Sequence, residues 1–387
     1  MPDPQTNKQT PDIPQSPADL RIAVLSDSFR HRNGVGAYYC DLIAHLKPRV
    51  ADIKLICPGD TPYGKQQGLS IPLPGDSSQK LCLPGIPKAA ADIKQLDPHV
   101  IVAASPGPYG ILAAYLARRN KRPFCFGYHT QYDQLTDLYW NRLFGPVAKH
   151  YLAWLDRRFF RRSDAVFTNG KHMVDTAKSM GARRIKLIGT PIDPILLQDP
   201  VPLHQETFGP LLFVGRLAKE KNIHLILEAA QSMPKLQFVI AGDGPLAKTV
   251  TNAANTLPNL DYVGWVDRQA LLNLLDNRCE ALLLPSQVES FGTVAAEAMA
   301  RARLVLVTDK CGITDWPELA GGLETIPVNT PLTPKLEQLA ALPPQQRAQK
   351  REQARQGCLD FVEKTISDWQ NELFDIVRSH SSQSRSK

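Results

Sequence analysis

Short apolar runs rich in β-branched residues, each followed by a stretch of helical period, recur along this chain in two successive series. Runs at 22–26, 53–57, 100–104, 124–128, 165–168 and 185–188 form the first; runs at 211–214, 238–241, 262–263, 282–284 and 304–307 form the second. A strand apolar on both faces must be covered on both faces, and intervening helices make such strands parallel. The pattern therefore predicts an α/β chain with two parallel, doubly wound sheets in tandem. At 387 residues it is long for one core and comfortable for two.

The expected organisation is a disordered leader over 1–20, which holds five prolines, and a Rossmann-like N-terminal domain over 21–190. A linker follows over 191–207, where Pro191, Pro194, Pro200 and Pro202 interrupt any periodicity, then a second Rossmann-like domain over 208–358. Residues 359–378 form an amphipathic helix whose Phe361, Ile366, Trp369, Leu373, Phe374 and Val377 need a partner surface, and 379–387 are expected to be a disordered tail. Sheets of this class bind ligands at the carboxyl ends of their strands, so the expected site is a cleft faced by both domains.

The formal charge of +7 suits nucleic acid, an anionic membrane or phosphorylated substrates, and cannot choose among them. Seven scattered cysteines, with no C-x-x-C and no zinc spacing, argue for a reducing, cytoplasmic setting. The first residues lack the apolar core of a signal peptide. The most apolar long stretch, 99–117, is broken by Pro106, Gly107, Pro108 and Gly110, so no spanning helix is expected.

The chemistry is carried by charged residues at strand ends. Glu289 and Glu297 flank Ser290-Phe291-Gly292-Thr293, directly after the 281–284 run and Pro285. If a helix begins near Phe291, a spacing of eight residues is about 12 Å along its axis and about 80° around it. That suits one elongated ligand: sugar hydroxyls on the first acid, phosphates at the helix start, ribose on the second. Gly292 would let the backbone approach, and the free N–H groups of the first turn favour phosphate. Alternatively, the two acids mark only a solvated helix face. Arg216 and Lys221, in Phe213-Val214-Gly215-Arg216-Leu217-Ala218-Lys219-Glu220-Lys221-Asn222, would project where another strand ends. Two cations there can hold a diphosphate; the bland reading is a basic helix cap. Ala241-Gly242-Asp243-Gly244-Pro245 is a glycine turn that alone means little.

In the first half, Asn33-Gly34-Val35-Gly36 follows the first strand and precedes a helical pattern starting near Tyr38. A glycine loop there could offer N–H groups to phosphate or sugar. It is not G-x-G-x-x-G, no acid marks the end of the second strand, and there is no Walker loop. These absences weigh against nicotinamide and nucleotide-hydrolase chemistry. His129 ends the 124–128 run, where a histidine can donate into a cleft, although a structural histidine is commoner. Over 144–162, Phe144, Val147, Leu152, Leu155 and Phe159 form a stripe bordered by Lys149, Arg157, Arg158, Arg161 and Arg162. Such a helix can lie on anionic lipid, but is more often a packed surface helix.

Together these motifs resemble glycosyltransferase family 4, retaining transferases of the GT-B fold, from about Arg21 to Val377. The specific parts are Gly215-Arg216-Leu217 to Glu220-Lys221, the Ala241–Pro245 turn, and Pro285-Ser286-Gln287-Val288-Glu289-Ser290-Phe291-Gly292 with Glu297. The resemblance implies GT-B architecture, with the last helix crossing back onto the N-terminal domain. It implies that Arg216 and Lys221 bind the diphosphate of a UDP- or GDP-sugar. Glu289 and the 290–293 backbone would hold the sugar, Glu297 the ribose, with Asn33, Gly34 and Val35 closing over the donor. Glu289 and His129, placed nearest the transferred sugar, are the catalytic residues the resemblance implies. It further implies a metal-independent transfer of hexose with retention, by front-side attack in which the leaving phosphate helps deprotonate the acceptor.

Ser105-Pro106-Gly107-Pro108 with Tyr128-His129-Thr130 resembles the branch that glycosylates membrane lipids, so the expected acceptor is a lipid or glycan hydroxyl in glycolipid or polysaccharide synthesis. The expected partners are the donor, that acceptor and an anionic membrane touched peripherally through 144–162, with no nucleic acid. Alternatives are a nucleotide-sugar epimerase of the same fold and a catalytically idle binding protein. The chain departs from the family pattern at Asn222, where glycine is usual, at Arg301-Ala302-Arg303, where Gly-x-Pro is usual, and at Gly189-Thr190-Pro191-Ile192-Asp193, where Asn-Gly-Val-Asp is usual.

Overall fold

The computed structural model describes residues 13–29, 34–59, 70–73, 76–129, 145–202 and 208–385. They fall into two units. The first comprises residues 1–168, 172–188 and 366–387; the second comprises 169–171 and 189–365.

In the first unit, strands β1 (Arg21–Leu25), β2 (Asp52–Ile56), β5 (Val100–Ala103), β6 (Phe124–Tyr128), β7 (Ala165–Thr168) and β8 (Ile185–Leu187) form one parallel sheet. Its order is β2-β1-β5-β6-β7-β8. Strands β3 (Ser70–Leu73) and β4 (Asp76–Cys82) pair separately as an antiparallel hairpin. That hairpin escapes a search for apolar runs because its strands carry Pro72 and a polar stretch, Ser77 to Lys80.

The second unit repeats the scheme with β9 (Leu211–Val214), β10 (Phe238–Ala241), β11 (Leu260–Gly264), β12 (Ala281–Leu284), β13 (Leu304–Thr308) and β14 (Leu323–Ile326). The order is β11-β10-β9-β12-β13-β14, all parallel. This is the doubly wound arrangement in which the chain's direction across the sheet reverses between its first and fourth strands, here β9 and β12. Every residue of β10, β12 and β13 is buried, as expected of strands covered on both faces. Strand β14 is an edge strand, largely half-buried, and its Leu-Glu-Thr-Ile lacks the apolar run that marked the others.

Several expected boundaries move. Leu20 is fully buried and Ser16 to Asp19 make a hydrogen-bonded turn, so the part of the leader from residue 13 is ordered against the first sheet. The stretch expected to be a linker is packed onto the second unit as far as residue 202. Ile192 and Leu196 are fully buried, and Arg301 donates to the carbonyls of Leu196, Gln198 and Asp199. Among the described residues the only regular element there is a short 3-10 helix, Pro194–Leu197, and arginines take the carbonyls beyond it that a longer helix or strand would have paired. Residues 203–207 lie outside the described residues.

The final helix, Pro344–Arg385, is much longer than expected. It belongs to the second unit through Thr365 and to the first from Ile366, crossing back to the N-terminal sheet. There Trp369 is fully buried, 4.2 Å from Phe167 between ring centroids. The expected disordered tail is helical to Arg385: three serines, Ser379, Ser381 and Ser382, each bond a carbonyl one turn back, so polar composition did not break the helix.

Candidate active site

Lys221 closes the short turn that follows β9, and Glu289 lies five residues beyond β12, so the two stand on either side of the reversal point of the second sheet. Open sheets of this kind leave a crevice there, at the carboxyl ends of the strands. Across it the Nζ of Lys221 donates to Oε2 of Glu289 in an ion pair whose side chains are 17% and 18% exposed. Burial works against the Lys221 ammonium, but the charge and hydrogen bond of Glu289 outweigh it and hold its pKa above the usual lysine value. Lys221 therefore carries its charge at neutral pH. Arg216 sits half-buried on the same loop.

Two backbone features shape this corner. Gly242, with φ at +136°, packs so tightly against the loop after β9 that a Cβ would fall 1.8 Å from the carbonyl oxygen of Gly215. The glycine turn is thus a close contact between neighbouring strand-end loops. Gly292, at φ +90°, caps the Thr293–Ala300 helix in a left-handed conformation. The helix therefore starts at Thr293, two residues later than expected, and Glu289 is not on it. The helical spacing between the two acids does not apply; Glu289 instead pairs in a β-bridge with Cys311 and accepts a 2.9 Å hydrogen bond at its carbonyl from the Gly312 N–H. Ser290 and Thr293 are half-buried beside it, and Phe291 is buried, stacked on Phe361 at 5.6 Å.

Glu297 lies one turn into that helix, 3% exposed. Its carboxylate is bonded by Arg268 Nη1, and Arg268 Nε lies 3.4 Å from Asp193 Oδ2. Burial pushes Glu297 above the usual carboxyl range, partly offset by Arg268. Arg268 was not singled out in the sequence. It opens the Arg268–Asn277 helix behind the N-cap Asp267, an Asp-Arg pair that any exposed helix start could carry.

In the first unit, His129 follows the end of β6 and is buried. Its Nε2 lies 3.1 Å from the Tyr39 hydroxyl, and its ring lies 4.1 Å from that of Tyr38. Both tyrosines come from the Gly34–Leu46 helix, which includes Gly34, Val35 and Gly36. Those three therefore form a helical first turn and not a loop: buried Tyr38, Tyr39, Cys40 and Leu42 hold the helix in place despite its glycines. Asn33 lies outside the described residues. Asp27, after β1, accepts hydrogen bonds from Ser105 Oγ at 2.6 Å and from the Tyr109 N–H at 2.8 Å. It thereby caps the Pro108–Arg119 helix at the reversal point of the first sheet, and burial raises its pKa against those bonds.

On the Gly145–Arg162 helix, Leu155 and Phe159 are buried, whereas Arg157, Arg158, Arg161 and Arg162 are exposed. Trp154 is 56% exposed, with the Arg158 guanidinium 5.6 Å from its ring centroid. Phe144 and the side chains of Val147, Lys149 and Leu152 lie outside the described residues. Among the described residues no helix is long and apolar enough to cross a membrane, and no group of three or more His, Cys, Asp or Glu is placed to hold a metal ion. All seven cysteines are buried thiols.

Two family models match consecutive parts of the chain: Glycosyltransferase Family 4 over residues 32–195 and Glycosyl transferases group 1 over residues 198–319. The chain is 34% identical over 167 residues to a glycogen synthase of Mycobacterium tuberculosis, a match covering 39% of each chain. It thus spans about two-fifths of that relative's length. It is 24% identical over 301 residues to a GDP-mannose-dependent alpha-mannosyltransferase of Corynebacterium glutamicum, covering 73% of this chain and 70% of that one. Among solved structures, Anabaena HepE in complex with UDP and glucose superposes with a TM-score of 0.62 at 14% identity, covering 93% of this chain and all of that one.

Proposed function

We propose that this chain, a member of glycosyltransferase family 4 with the GT-B fold, is a retaining, metal-independent hexosyltransferase that takes its sugar from a nucleotide-sugar donor. The acceptor in this reading is the hydroxyl of a membrane lipid or glycan. The observation that carries it is the Lys221–Glu289 pair across the reversal point of the second sheet. A donor's diphosphate would take over the Lys221 ammonium, with Arg216 on the same loop adding a second charge. Both would offset the negative charge that grows on the leaving nucleotide. Glu289, released from Lys221, would accept hydrogen bonds from the sugar hydroxyls. The N–H groups of the first turn at Thr293 would face the phosphates, and Glu297 the ribose. His129, held by Tyr38 and Tyr39, would donate to the transferred sugar. Gly34 and Val35, at the first helical turn, would contact the donor.

The similarity to a GDP-mannose-dependent mannosyltransferase supports a transferase over an epimerase. Exposed Trp154 with Arg157, Arg158, Arg161 and Arg162 supports peripheral contact with anionic lipid on the cytoplasmic face of a membrane.

Purified protein would be incubated with UDP-glucose, GDP-mannose and other nucleotide sugars, with and without lipid extract, and nucleotide release followed. Acceptor-dependent release that Glu289→Gln abolishes supports the transferase. Conversion of the donor sugar without nucleotide release identifies an epimerase, and donor binding without turnover an idle protein. Retention is read from the anomeric proton of the isolated product.

A further inference from the structure

Asn222 follows Lys221 directly and has a left-handed backbone, φ 52° and ψ 39°. Glycine would adopt that conformation most easily, and asparagine tolerates it better than other side chains do. Asn222 is fully buried, and both polar atoms of its amide are bonded. Its Nδ2 donates to Oδ1 of Asn329 at 3.0 Å, and its Oδ1 accepts from Nε2 of Gln287 at 2.8 Å. Gln287 Nε2 also reaches Asn329 Oδ1 at 3.2 Å, closing a triangle of three side-chain amides. The corners come from three different strand-end loops, those after β9, β12 and β14. A backbone bond reinforces one side: the Gln287 N–H donates to the Glu220 carbonyl at 2.7 Å. The far corner is tied down as well, because the Val328 N–H donates to Asp309 Oδ1 at 3.0 Å.

Lys221 is one residue from the first corner, and Glu289 two residues from the second. The triangle is therefore the brace that fixes the distance between the loop carrying the cation and the loop carrying the acid. Within the sheet β9 and β12 are paired at Leu211 and Leu212, opposite Ala281 and Leu282; beyond these pairs the two loops are joined by the Gln287–Glu220 backbone bond and by the amide triangle, which adds the side-chain link. We infer that Asn222, acting through Gln287 and Asn329, is a positioning residue that holds Lys221 and Glu289 in register for sugar transfer. It touches no substrate. This inference rests on the donor-site reading of Lys221 and Glu289.

A brace has a specific kinetic signature. Diphosphate binding draws its charge from one loop, through Lys221 and Arg216, whereas transfer needs phosphate and sugar held at once in a geometry where about 1 Å of misplacement is costly. The test uses whichever of UDP-glucose or GDP-mannose the wild-type protein turns over, with the corresponding free nucleoside diphosphate as a binding probe. Asn222→Gly keeps the backbone conformation and removes the amide. The expected result is a fall in kcat of about tenfold or more, with KM and diphosphate affinity within about twofold of wild type. Gln287→Ala should behave alike, and the double variant should be no slower than the worse single one, because each removes the same brace. Asn329→Gly, at an exposed corner whose backbone is also left-handed (φ 60°), should reproduce the loss of kcat with an unchanged melting temperature, which separates positioning from unfolding.

Wild-type kcat in Asn222→Gly and Asn329→Gly, or losses that simply multiply in the double variant, would overturn the inference. Lys221→Ala tells the two levels apart. If it weakens diphosphate binding while Asn222→Gly turns over normally, the brace fails and the donor-site reading stands. If Lys221→Ala leaves diphosphate affinity unchanged, the reading falls and takes the inference with it.

Discussion

The indole N–H of Trp369, on the C-terminal helix, donates a 2.9 Å hydrogen bond to the hydroxyl of Tyr38, on the helix that begins at Gly34. Trp369 is fully buried, with the rings of Tyr38, Tyr39 and Phe167 around it. Tyr38 in turn lies against His129. One contact thus joins the end of the chain to the aromatic group that fixes a candidate site residue.

Removing that indole should unfold the first unit readily. Trp369→Ala is expected to cost about 3–5 kcal/mol through lost burial and the cavity left behind. Trp369→Phe keeps most of the volume and should cost less, chiefly the lost N–H bond of about 1 kcal/mol. Urea unfolding followed by circular dichroism checks both, and equal costs would show that the hydrogen bond, and not packing, dominates.

Arg301 makes two 2.8 Å bonds to the carboxylate of Asp276, both residues being buried, while its remaining donors hold the 196–199 carbonyls. Arg301→Ala leaves Asp276 a buried charge without this partner and should destabilise by about 3–5 kcal/mol. Arg301→Lys should recover little, since a point charge cannot replace the planar fork. Thermal melts give the ranking, and a fully stable Arg301→Lys protein would contradict it.

His380 Nδ1 lies 3.6 Å from Asp164 Oδ1, and the neighbouring Asp164 carboxylate raises the histidine's pKa above 6.5. The folded state therefore holds the proton more tightly than the unfolded chain. The stabilisation is complete below pH 6.5 and disappears as pH rises through the folded-state pKa. Both groups are partly exposed, so screening keeps it below about 1 kcal/mol. His380→Gln should melt below wild type at pH 6 and together with it at pH 9; a gap that persists at pH 9 would assign the loss to packing.

At the candidate donor site, Lys221→Ala should weaken UDP or GDP binding by about 1.5–3 kcal/mol, the range for a lost charged hydrogen bond. Calorimetry measures this directly. Glu297→Gln removes the charge paired with Arg268 Nη1 and should weaken the intact nucleotide sugar as well as the free nucleotide, because the ribose is common to both. A loss confined to the nucleotide sugar would place Glu297 at the sugar end.

Much of the fold was legible residue by residue. Eleven of the strands announce themselves as apolar runs, the central ones because a strand buried on both faces must be apolar throughout, while the edge strands β8 and β11 are largely half-buried and keep only short apolar runs. Strands that escape this rule were missed: β14 at a sheet edge, and the β3–β4 hairpin with its polar segments. The Glu289 and Lys221 motifs were legible for a similar local reason, a charged residue set just past a strand. Glycines were read less well. Gly34 and Gly36 suggested a loop, yet packing of Tyr38, Tyr39 and Leu42 carries the helix through them.

Sequence by itself determined that this chain would build two parallel sheets and place acids and cations at their strand ends, since burial on both faces and loop position are properties of a short stretch. Only the tertiary structure decided which charge meets which. Lys221 and Glu289 are 68 positions apart, and Arg268 and Glu297 are 29 apart. Their pairing depends on β9 and β12 becoming neighbours, and on amides from three loops closing beside them. Strand order is set by how the whole sheet packs, and no local run of residues records it.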